Sequence, residues 1–494
     1  MAPSRRIGLG IPFGVVPAPQ SKLACDVLLD LDTAGPGPLH ERLTRALRTA
    51  IRDGVLAPDS ALPPSRALAA DLGCSRWVVT QAYEQLIAEG YLAGRTGSAT
   101  RIRRLDPQDR PADVPEGRRQ VRPELPTPRY DLAPGLPDLR EFPRRRWADA
   151  IQSQLTTLPH TELGYPERSG APRLREVLAA YLRRVRGADA QPADVTVTSS
   201  VTSGVTALCR VLRARGINRI AVEDPGWTRL RQAVADLGVE LVGIPVDADG
   251  LVVDALVRQP DVRAVLLTPA HQFPTGAVLA PERRAALLAW VRGVDGVILE
   301  DDYDAEFRYD RRPVGTLQGV EPRHVALFGS LSKTLSPALG IGWMVTPRAW
   351  TSMLRDDTKA LPSPPLLDQL AFTQFLESGG YDRHLRASRQ RYRRRRDALV
   401  GAIGTQLPDS TLSGAAAGLH LVLQLDPATP ADAVVTGAAA AGVKVADLDT
   451  YRLSPDPSAP ALVLGYGNLP DGAVHPAVSR LAEAVRSARS SVMS

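Results

Sequence analysis

The sequence predicts a multidomain chain with a small, mainly α N-terminal unit, a large α/β unit and a smaller α+β C-terminal unit. Three observations predict it. Apolar residues recur at helical spacing before residue 90. A proline-rich segment then interrupts the pattern, and from about residue 150 to 348 strand-like apolar runs alternate with amphipathic helices. Such alternation favours a mainly parallel sheet. Beyond residue 349 a long arginine-rich helix precedes short strands and helices.

Composition is that of a globular protein, with 44% hydrophobic and 23% charged residues among 494. No apolar run approaches the ~20 residues of a membrane-spanning helix. Glycine and proline interrupt the N-terminal segment, so no signal peptide is expected. Three widely spaced cysteines indicate neither a disulfide framework nor a zinc site. We therefore expect a cytoplasmic protein without a metal centre.

Residues 105–129 form the predicted boundary between the units. This segment holds six prolines, many charges and few large apolar residues, a composition typical of an extended linker. We assign residues 27–104 to the N-terminal domain and 130–494 to the C-terminal region, with its large part at about 150–348 and its small part at about 349–494.

Three helices and a hairpin are predicted in the N-terminal domain. Apolar residues recur every four positions from Leu39 to Ile51, and Gly54 ends this helix. A second helix fits "PSRALAADLG", with Ser65 as N-cap. The third, in "CSRWVVTQAYEQLIAEG", ends at Gly90. The glycines in "YLAGRTGSATRIRR" predict a two-stranded wing, which makes a winged helix-turn-helix.

These elements resemble the GntR-type DNA-binding domain. The resemblance lies in "LPPSR" at the start of the second helix, in "LGCSRWVVTQAYEQL" for the recognition helix and in "EGYLAGRTGSAT" for the wing. The net charge of +6 is compatible with a double-stranded DNA operator as partner. Arginine can bind guanine, and serine or threonine can hold phosphate. Trp77 departs from the small polar residue common in the family and either packs on the turn or contacts a thymine methyl. A winged helix that contacts only protein is the alternative. The predicted DNA contacts are Ser65, Arg66, Ser75, Arg76, Trp77, Thr80, Arg95, Thr96 and Gly97.

Lys333 is conspicuous because only four of the 60 basic residues are lysines. It follows the predicted strand 325–330, and ligands bind at the carboxyl ends of strands in an open parallel sheet. Arginine cannot replace a lysine that forms an imine, because a guanidinium stays protonated. Asp301 lies at the end of another predicted strand, 296–302, and Tyr303 follows it directly; Trp227 follows a third. A lysine, an acid, a phenol and a stacking aromatic are what pyridoxal 5'-phosphate (PLP) requires.

The motifs "TPAHQFPTG", "EDDYDAEFRY" and "SLSKTLSP" resemble fold-type I aminotransferases, and specifically the aminotransferase-like domain of MocR/GabR-type regulators, over about residues 130–480. The resemblance implies that Lys333 forms the internal aldimine with PLP, Asp301 pairs with the ring nitrogen, Tyr303 meets the ring oxygen and Trp227 stacks. The predicted cofactor-binding residues are Lys333, Asp301, Tyr303, Trp227, Ser330, Ser332, Ser200, Val201, Thr202, His271 and Gln272.

Two positions depart from the family pattern. Ser200 replaces the usual glycine of the phosphate turn, and Gly340 stands where the family has a phosphate-binding arginine. Loss of one charge-assisted contact costs on the order of 1.5–3 kcal/mol, so PLP binding could be weakened or lost. Arg229 and Arg452 are the predicted partners of an effector carboxylate.

Together these features predict a transcription regulator whose aminotransferase-like domain binds PLP and senses PLP itself or an amino compound. The resemblance also implies a head-to-tail homodimer. Two alternatives stay open: an active PLP-dependent aminotransferase with an accessory DNA-binding domain, and a repressor with a degenerate cofactor pocket. Residual transamination is compatible with the regulator.

Overall fold

The computed structural model describes residues 36–94, 99–104, 128–309, 314–357, 361, 363–414, 417–456 and 459–493. Contacts divide the chain into two compact units, Met1–Leu125 and Pro126–Ser494. Most of the linker that we assigned to 105–129 therefore lies outside the described residues.

The N-terminal unit contains three helices and a short antiparallel pair of strands. These are α1 (Leu39–Arg52), α2 (Ser65–Asp71), α3 (Arg76–Ala88), β1 (Leu92–Ala93) and β2 (Arg101–Ile102). Leu43 and Leu47 of α1 pack on Val79 and Leu86 of α3 in one apolar core. The predicted N-cap is wrong: Pro64 caps α2, so Ser65 is the first helical residue.

The second unit has helices on both sides of a large sheet. Its helices are α4 (Arg144–Thr157), α5 (Pro172–Arg186), α6 (Val201–Ala214), α7 (Thr228–Ala235), α8 (Val253–Val257), α9 (Pro281–Gly293), α10 (Arg348–Asp357), α11 (Leu366–Glu377), α12 (Gly380–Gln406), α13 (Ala431–Ala440) and α14 (Val474–Met493).

Fourteen strands are described in the same unit. They are β3 (Tyr130–Asp131), β4 (Val195–Thr198), β5 (Arg219–Asp224), β6 (Glu240–Asp247), β7 (Gly250–Leu251), β8 (Ala264–Leu267), β9 (Val297–Asp301), β10 (Val325–Ser330), β11 (Gly342–Val345), β12 (Thr411–Ser413), β13 (His420–Gln424), β14 (Val443–Lys444), β15 (Ala446–Asp447) and β16 (Ala461–Gly465).

Eight strands form the large sheet in the order β4-β11-β10-β9-β8-β5-β6-β7. Strands β10, β9, β8, β5 and β6 are parallel, whereas β11 is antiparallel to both of its neighbours and β7 is antiparallel to β6. The predicted α/β class is confirmed. The apolar runs of the sequence predict strands at 195–199, 219–224, 264–269, 296–302 and 325–330, and a strand of this sheet lies in each of them. The sheet is mixed at this end because β11 is antiparallel to its neighbours. The sequence analysis did not predict this four-residue strand.

Alternate side chains of the central strands enter different cores, as the two-residue period of a strand requires. Val297 and Leu299 of β9 pack in one apolar cluster, while Ile298 packs in another with Val265 of β8. Both faces are therefore covered, which is typical of parallel sheets. The polar ends of these strands are the positions left for a site.

The C-terminal part contains an antiparallel sheet with the order β12-β13-β16-β15, and β14 pairs with β3. The arginine-rich helix α12 buries Tyr392 and Leu399. Arg395 is also buried, because its guanidinium pairs with Asp138 at 2.5 Å and with Asp471. At least one arginine of this helix therefore forms ion pairs inside the protein.

Candidate functional site

A cavity of about 600 Å³, open to solvent, lies at the carboxyl ends of the parallel strands. It is lined by Pro134, Gly135, Trp227, Thr268, Phe273, Asp301, Tyr303, Lys333, Leu419, His420 and Tyr451. Four predicted site residues, from three different strand ends, thus meet in one cavity. Its wall opposite the sheet comes from Leu419, His420 and Tyr451 of the C-terminal part.

Lys333 is half-buried on the turn after β10. Its Nζ donates to the Gly135 carbonyl at 2.6 Å and lies 5.9 Å from the centroid of the Trp227 ring. Burial lowers the pKa of the lysine, whereas Asp304 and Asp301 oppose that shift. A lowered pKa favours the neutral amine, which is the nucleophilic form.

Asp301 ends β9 and is 4% exposed. Burial raises its pKa from 3.8 to about 8, Asp302 adds to the shift, and Lys333 opposes it. The Oδ1 atom is buried without a hydrogen-bond partner. Because buried polar atoms are normally paired, this oxygen fits the protonated ring nitrogen of PLP.

Tyr303 also faces the cavity, and its hydroxyl lies 3.0 Å from His271 Nδ1. The same nitrogen lies 2.9 Å from Asp304 Oδ2. Burial and the neighbouring Asp304 raise the pKa of the tyrosine, so its hydroxyl stays protonated. His271 thus does not line the cavity itself, but it contacts Tyr303, which does.

Gln272 does not line the cavity. Its Nε2 donates to the carbonyls of Pro225 and Phe273, and its Oε1 accepts hydrogen bonds from Thr275. The amide therefore holds the loop that presents Phe273. Sequence reasoning had no signal for this inward orientation.

A buried acid missed by the sequence analysis lies below the same loop. Glu223 accepts hydrogen bonds from the amide and the hydroxyl of Thr268 at 3.0 and 2.7 Å. Burial raises its pKa to about 7. It lines a second cavity of about 320 Å³, which shares Trp227, Thr268, Phe273 and Asp301 with the larger one.

The predicted phosphate turn begins α6. Ser200 is the N-cap, and its hydroxyl accepts from the Ser203 amide while the Ser203 hydroxyl accepts from the Ser200 amide. The amides of Val201 and Thr202, in the first helical turn, have no partner within the helix. This helix N-terminus is suited to an anion.

Sheet pairing brings the serine turns together, since Gly342 of β11 pairs with both Thr198 and Ser330. Ser330 is buried, and its hydroxyl accepts from the Ser332 amide at 3.4 Å. Gly340 has φ +57°, and a Cβ there would lie 3.9 Å from the Ser199 carbonyl. Its left-handed backbone suits glycine better than arginine.

The two predicted carboxylate partners lie outside the lining of both cavities. Arg229 is exposed on α7. Arg452 is half-buried, with Nε 2.9 Å from Asp449 Oδ1. Arg231 lines the second cavity, is 4% exposed and lies 3.6 Å from Asp224 Oδ1.

The recognition helix of the N-terminal unit presents polar side chains and one large aromatic. Arg76 Nε donates to Ser65 Oγ at 3.3 Å, and Arg66 and Ser75 are exposed. Trp77 is 60% exposed, and its ring meets His40 edge-on at 5.4 Å. Thr80 is half-buried. The wing residues predicted to contact DNA, Arg95, Thr96 and Gly97, lie outside the described residues.

Comparison with known proteins assigns both parts of the chain. Residues 39–102 match the family of bacterial regulatory proteins, gntR family, and residues 131–446 match aminotransferase class I and II. The pyridoxine biosynthesis transcriptional regulator PdxR of Corynebacterium glutamicum is 34% identical over 430 residues, which is 87% of this chain and 92% of that protein. The probable rhizopine catabolism regulatory protein MocR of Rhizobium meliloti is 32% identical over 485 residues, 94% of this chain and 97% of that protein.

Solved structures agree on the fold of the second unit. An archaeal alanine:glyoxylate aminotransferase superposes with a TM-score of 0.68 at 23% identity, over 72% of this chain and 91% of that one. In the described part of the chain, none of the helices combines the length and apolarity needed to cross a bilayer. The second domain is of a PLP-dependent fold, and the first is a DNA-binding domain. The chain therefore belongs to the MocR/GabR-type transcription regulators, in which a gntR-family domain is followed by an aminotransferase class I and II domain.

Proposed function

We propose that this regulator senses PLP itself, held covalently through Lys333, and that occupancy of the cavity alters DNA binding. The observation that carries the proposal is the meeting of Lys333, Trp227 and the unpartnered Asp301 Oδ1 around one cavity. The name of the relative PdxR, a regulator of pyridoxine biosynthesis, supports the same signal.

The residues present fit this cofactor. Lys333 supplies an amine with a lowered pKa, and Asp301 supplies a buried carboxyl group for the ring nitrogen. Tyr303 supplies a protonated hydroxyl for the ring oxygen, and Trp227 supplies a flat apolar surface. When bound, PLP acts as an electron sink for groups attached to it.

For the phosphate, we propose the first turn of α6 together with Ser330 and Ser332. Helix amides and hydroxyls replace the charge that an arginine at position 340 would provide. We expect this cradle to bind PLP more weakly than one with an added guanidinium. Weaker, reversible binding suits a sensor of free PLP better than a permanently loaded enzyme, because occupancy then follows concentration.

A more specific form of the proposal is that the regulator senses an amino compound that competes with Lys333 for PLP. Arg229 and Arg452 stay candidates for its carboxylate, although neither lines the cavity. PLP alone is the simpler signal, since no guanidinium is among the residues that line the larger cavity in the described structure.

The experiment is DNase footprinting of the full-length protein on its upstream DNA with and without PLP. We expect the protected region or its affinity to change with PLP in the micromolar range. Amines and amino acids are then added to the PLP-loaded protein. An identical footprint in all conditions would contradict sensing but leave DNA binding intact.

We further propose a head-to-tail homodimer. Apolar side chains exposed on one stretch support it: Leu155 is 52% exposed on α4, Leu163 is 58% exposed, and Tyr165 is fully exposed. We expect Leu163→Asp to shift the protein toward monomer, because a buried charge opposes association. Sedimentation velocity measures the shift, with Val320→Asp, 64% exposed elsewhere, as control.

DNA recognition by α3 gives a separate expectation. Arg76→Ala should weaken operator binding about tenfold to a hundredfold, because one bidentate arginine–guanine pair contributes about 1–3 kcal/mol. Fluorescence anisotropy with labelled operator DNA measures the loss. Arg48→Ala serves as control, since Arg48 pairs with Glu89 at 2.6 Å. Equal losses in both variants would argue against base readout by Arg76.

A further inference from the structure

We infer that Asp304 and His271 form a relay that fixes the Tyr303 hydroxyl as a hydrogen-bond donor toward the ring oxygen of PLP. His271 is then a positioning residue for the cofactor, although it does not line the cavity. This inference rests on the proposed binding of PLP and deepens it.

Hydrogen-bond partners determine the tautomer of His271. Its Nδ1 lies 2.9 Å from Asp304 Oδ2, a carboxylate that only accepts, so Nδ1 carries the proton. Its Nε2 is buried without a partner. The proton on Nδ1 leaves Nε2 with a lone pair that has no partner among the described residues.

This tautomer constrains Tyr303. The Nδ1–H group lies 3.0 Å from the tyrosine oxygen as well, so that oxygen accepts from the histidine. The hydroxyl hydrogen of Tyr303 is then not held by His271. Its other hydrogen-bond partner in the protein is the Asp304 carboxylate, and a PLP ring oxygen in the cavity would compete with that carboxylate for it. With the opposite tautomer, the hydroxyl would donate to Nδ1 and be withdrawn from the cofactor.

The imidazole ring sits in a slot that two glycines leave open. A Cβ on Gly418 would lie 2.0 Å from His271 Cε1, and one on Gly276 would lie 3.3 Å from Nε2. The rings of Tyr303 and His420 lie 6.2 and 5.1 Å from the imidazole. His271 is 2% exposed and Asp304 is 2% exposed. These contacts and the burial of both side chains restrict the orientation of the imidazole ring.

Three of the other groups near this part of the cavity do not offer an equivalent donor, and Tyr451 is the second phenol in the lining. Phe273 has an apolar side chain, and the Thr268 hydroxyl donates to Glu223 at 2.7 Å. His420 Nε2 lies 3.0 Å from the Pro274 carbonyl. Tyr303 is thus the group whose orientation matters most for the ring oxygen.

The test is a double-mutant cycle on PLP affinity, measured by titration of the visible absorbance of the bound cofactor. His271→Leu removes the Nδ1 donor, whereas His271→Asn keeps an amide donor near that position. We expect about tenfold weaker binding for His271→Leu, the effect of one hydrogen bond, and near wild-type binding for His271→Asn. In a Tyr303→Phe background, His271→Leu should change the affinity by less than about twofold.

A purely structural role would give the opposite pattern. The effects of His271→Leu and Tyr303→Phe would then add, and His271→Asn would not restore binding; either result overturns the relay. If His271→Leu does not fold, Asp304→Asn enters the same cycle. His324→Leu is the matched control, because its Nδ1 also meets a carboxylate, Glu321, at 3.1 Å. Wild-type protein without a visible band would reject the proposed function itself, whereas a normal band with additive effects rejects the relay alone.

Discussion

Lys333→Ala is expected to abolish covalent attachment of PLP and the visible absorbance that accompanies it. Among the described residues, Lys333 is the lysine that lines the cavity, next to Trp227 and the Gly135 carbonyl. Lys333→Arg should give the same loss, because a guanidinium stays protonated and does not form the bond. Absorbance spectra and intact mass after borohydride reduction measure the attachment.

The matched control is Lys444→Ala, because Lys444 is exposed on β14. It should retain the full reduced adduct. An adduct that persists in Lys333→Ala would place the attachment on another lysine. The same variant also tests signalling: its DNA footprint should no longer respond to PLP, even though the N-terminal unit is unchanged.

Sequence spacing located Lys333, Asp301, Tyr303 and Trp227 because each follows an apolar run that became a strand of the sheet. Parallel strands bring their carboxyl ends to one edge, so a linear pattern translates into one cavity. The meeting of these four residues in one cavity depends on the sheet alone, whereas their roles toward PLP stay predictions.

Other features of the site depend on contacts between distant segments. The Gly135 carbonyl that accepts from Lys333 comes from 198 residues earlier in the chain. The Asp304–His271 pair joins two loops, and the direction of a loop side chain is not fixed by a strand period. The same reason explains why Gln272 turned inward and Arg229 outward, whereas both were predicted to meet ligand.

Asp301→Asn is expected to make the PLP-free protein more stable than wild type at pH 8, with the difference vanishing toward pH 4. In the unfolded chain this carboxyl loses its proton near pH 3.8, whereas burial keeps it protonated in the folded protein up to about pH 8. The free energy of unfolding of the wild-type protein is therefore highest, as far as Asp301 is concerned, below pH 4, and it falls as the pH rises to 8. Chemical denaturation at several pH values measures the difference.

Glu300 and Glu306, two other buried acids with a raised pKa, are present in both proteins, so their contributions cancel in the difference. Glu223 adds to the raised pKa of Asp301, so its coupling to that carboxyl is part of the measured difference. The affinity for PLP should change in the opposite direction: the variant should bind PLP more weakly than wild type. Loss of the carboxylate removes the charged partner of the ring nitrogen, and affinity should fall on the order of 100-fold. Asp409→Asn, an exposed site, should change neither quantity. If Asp301→Asn left PLP affinity unchanged, the unpartnered Oδ1 would not be the cofactor contact, and the stability difference would then reflect burial of the acid alone.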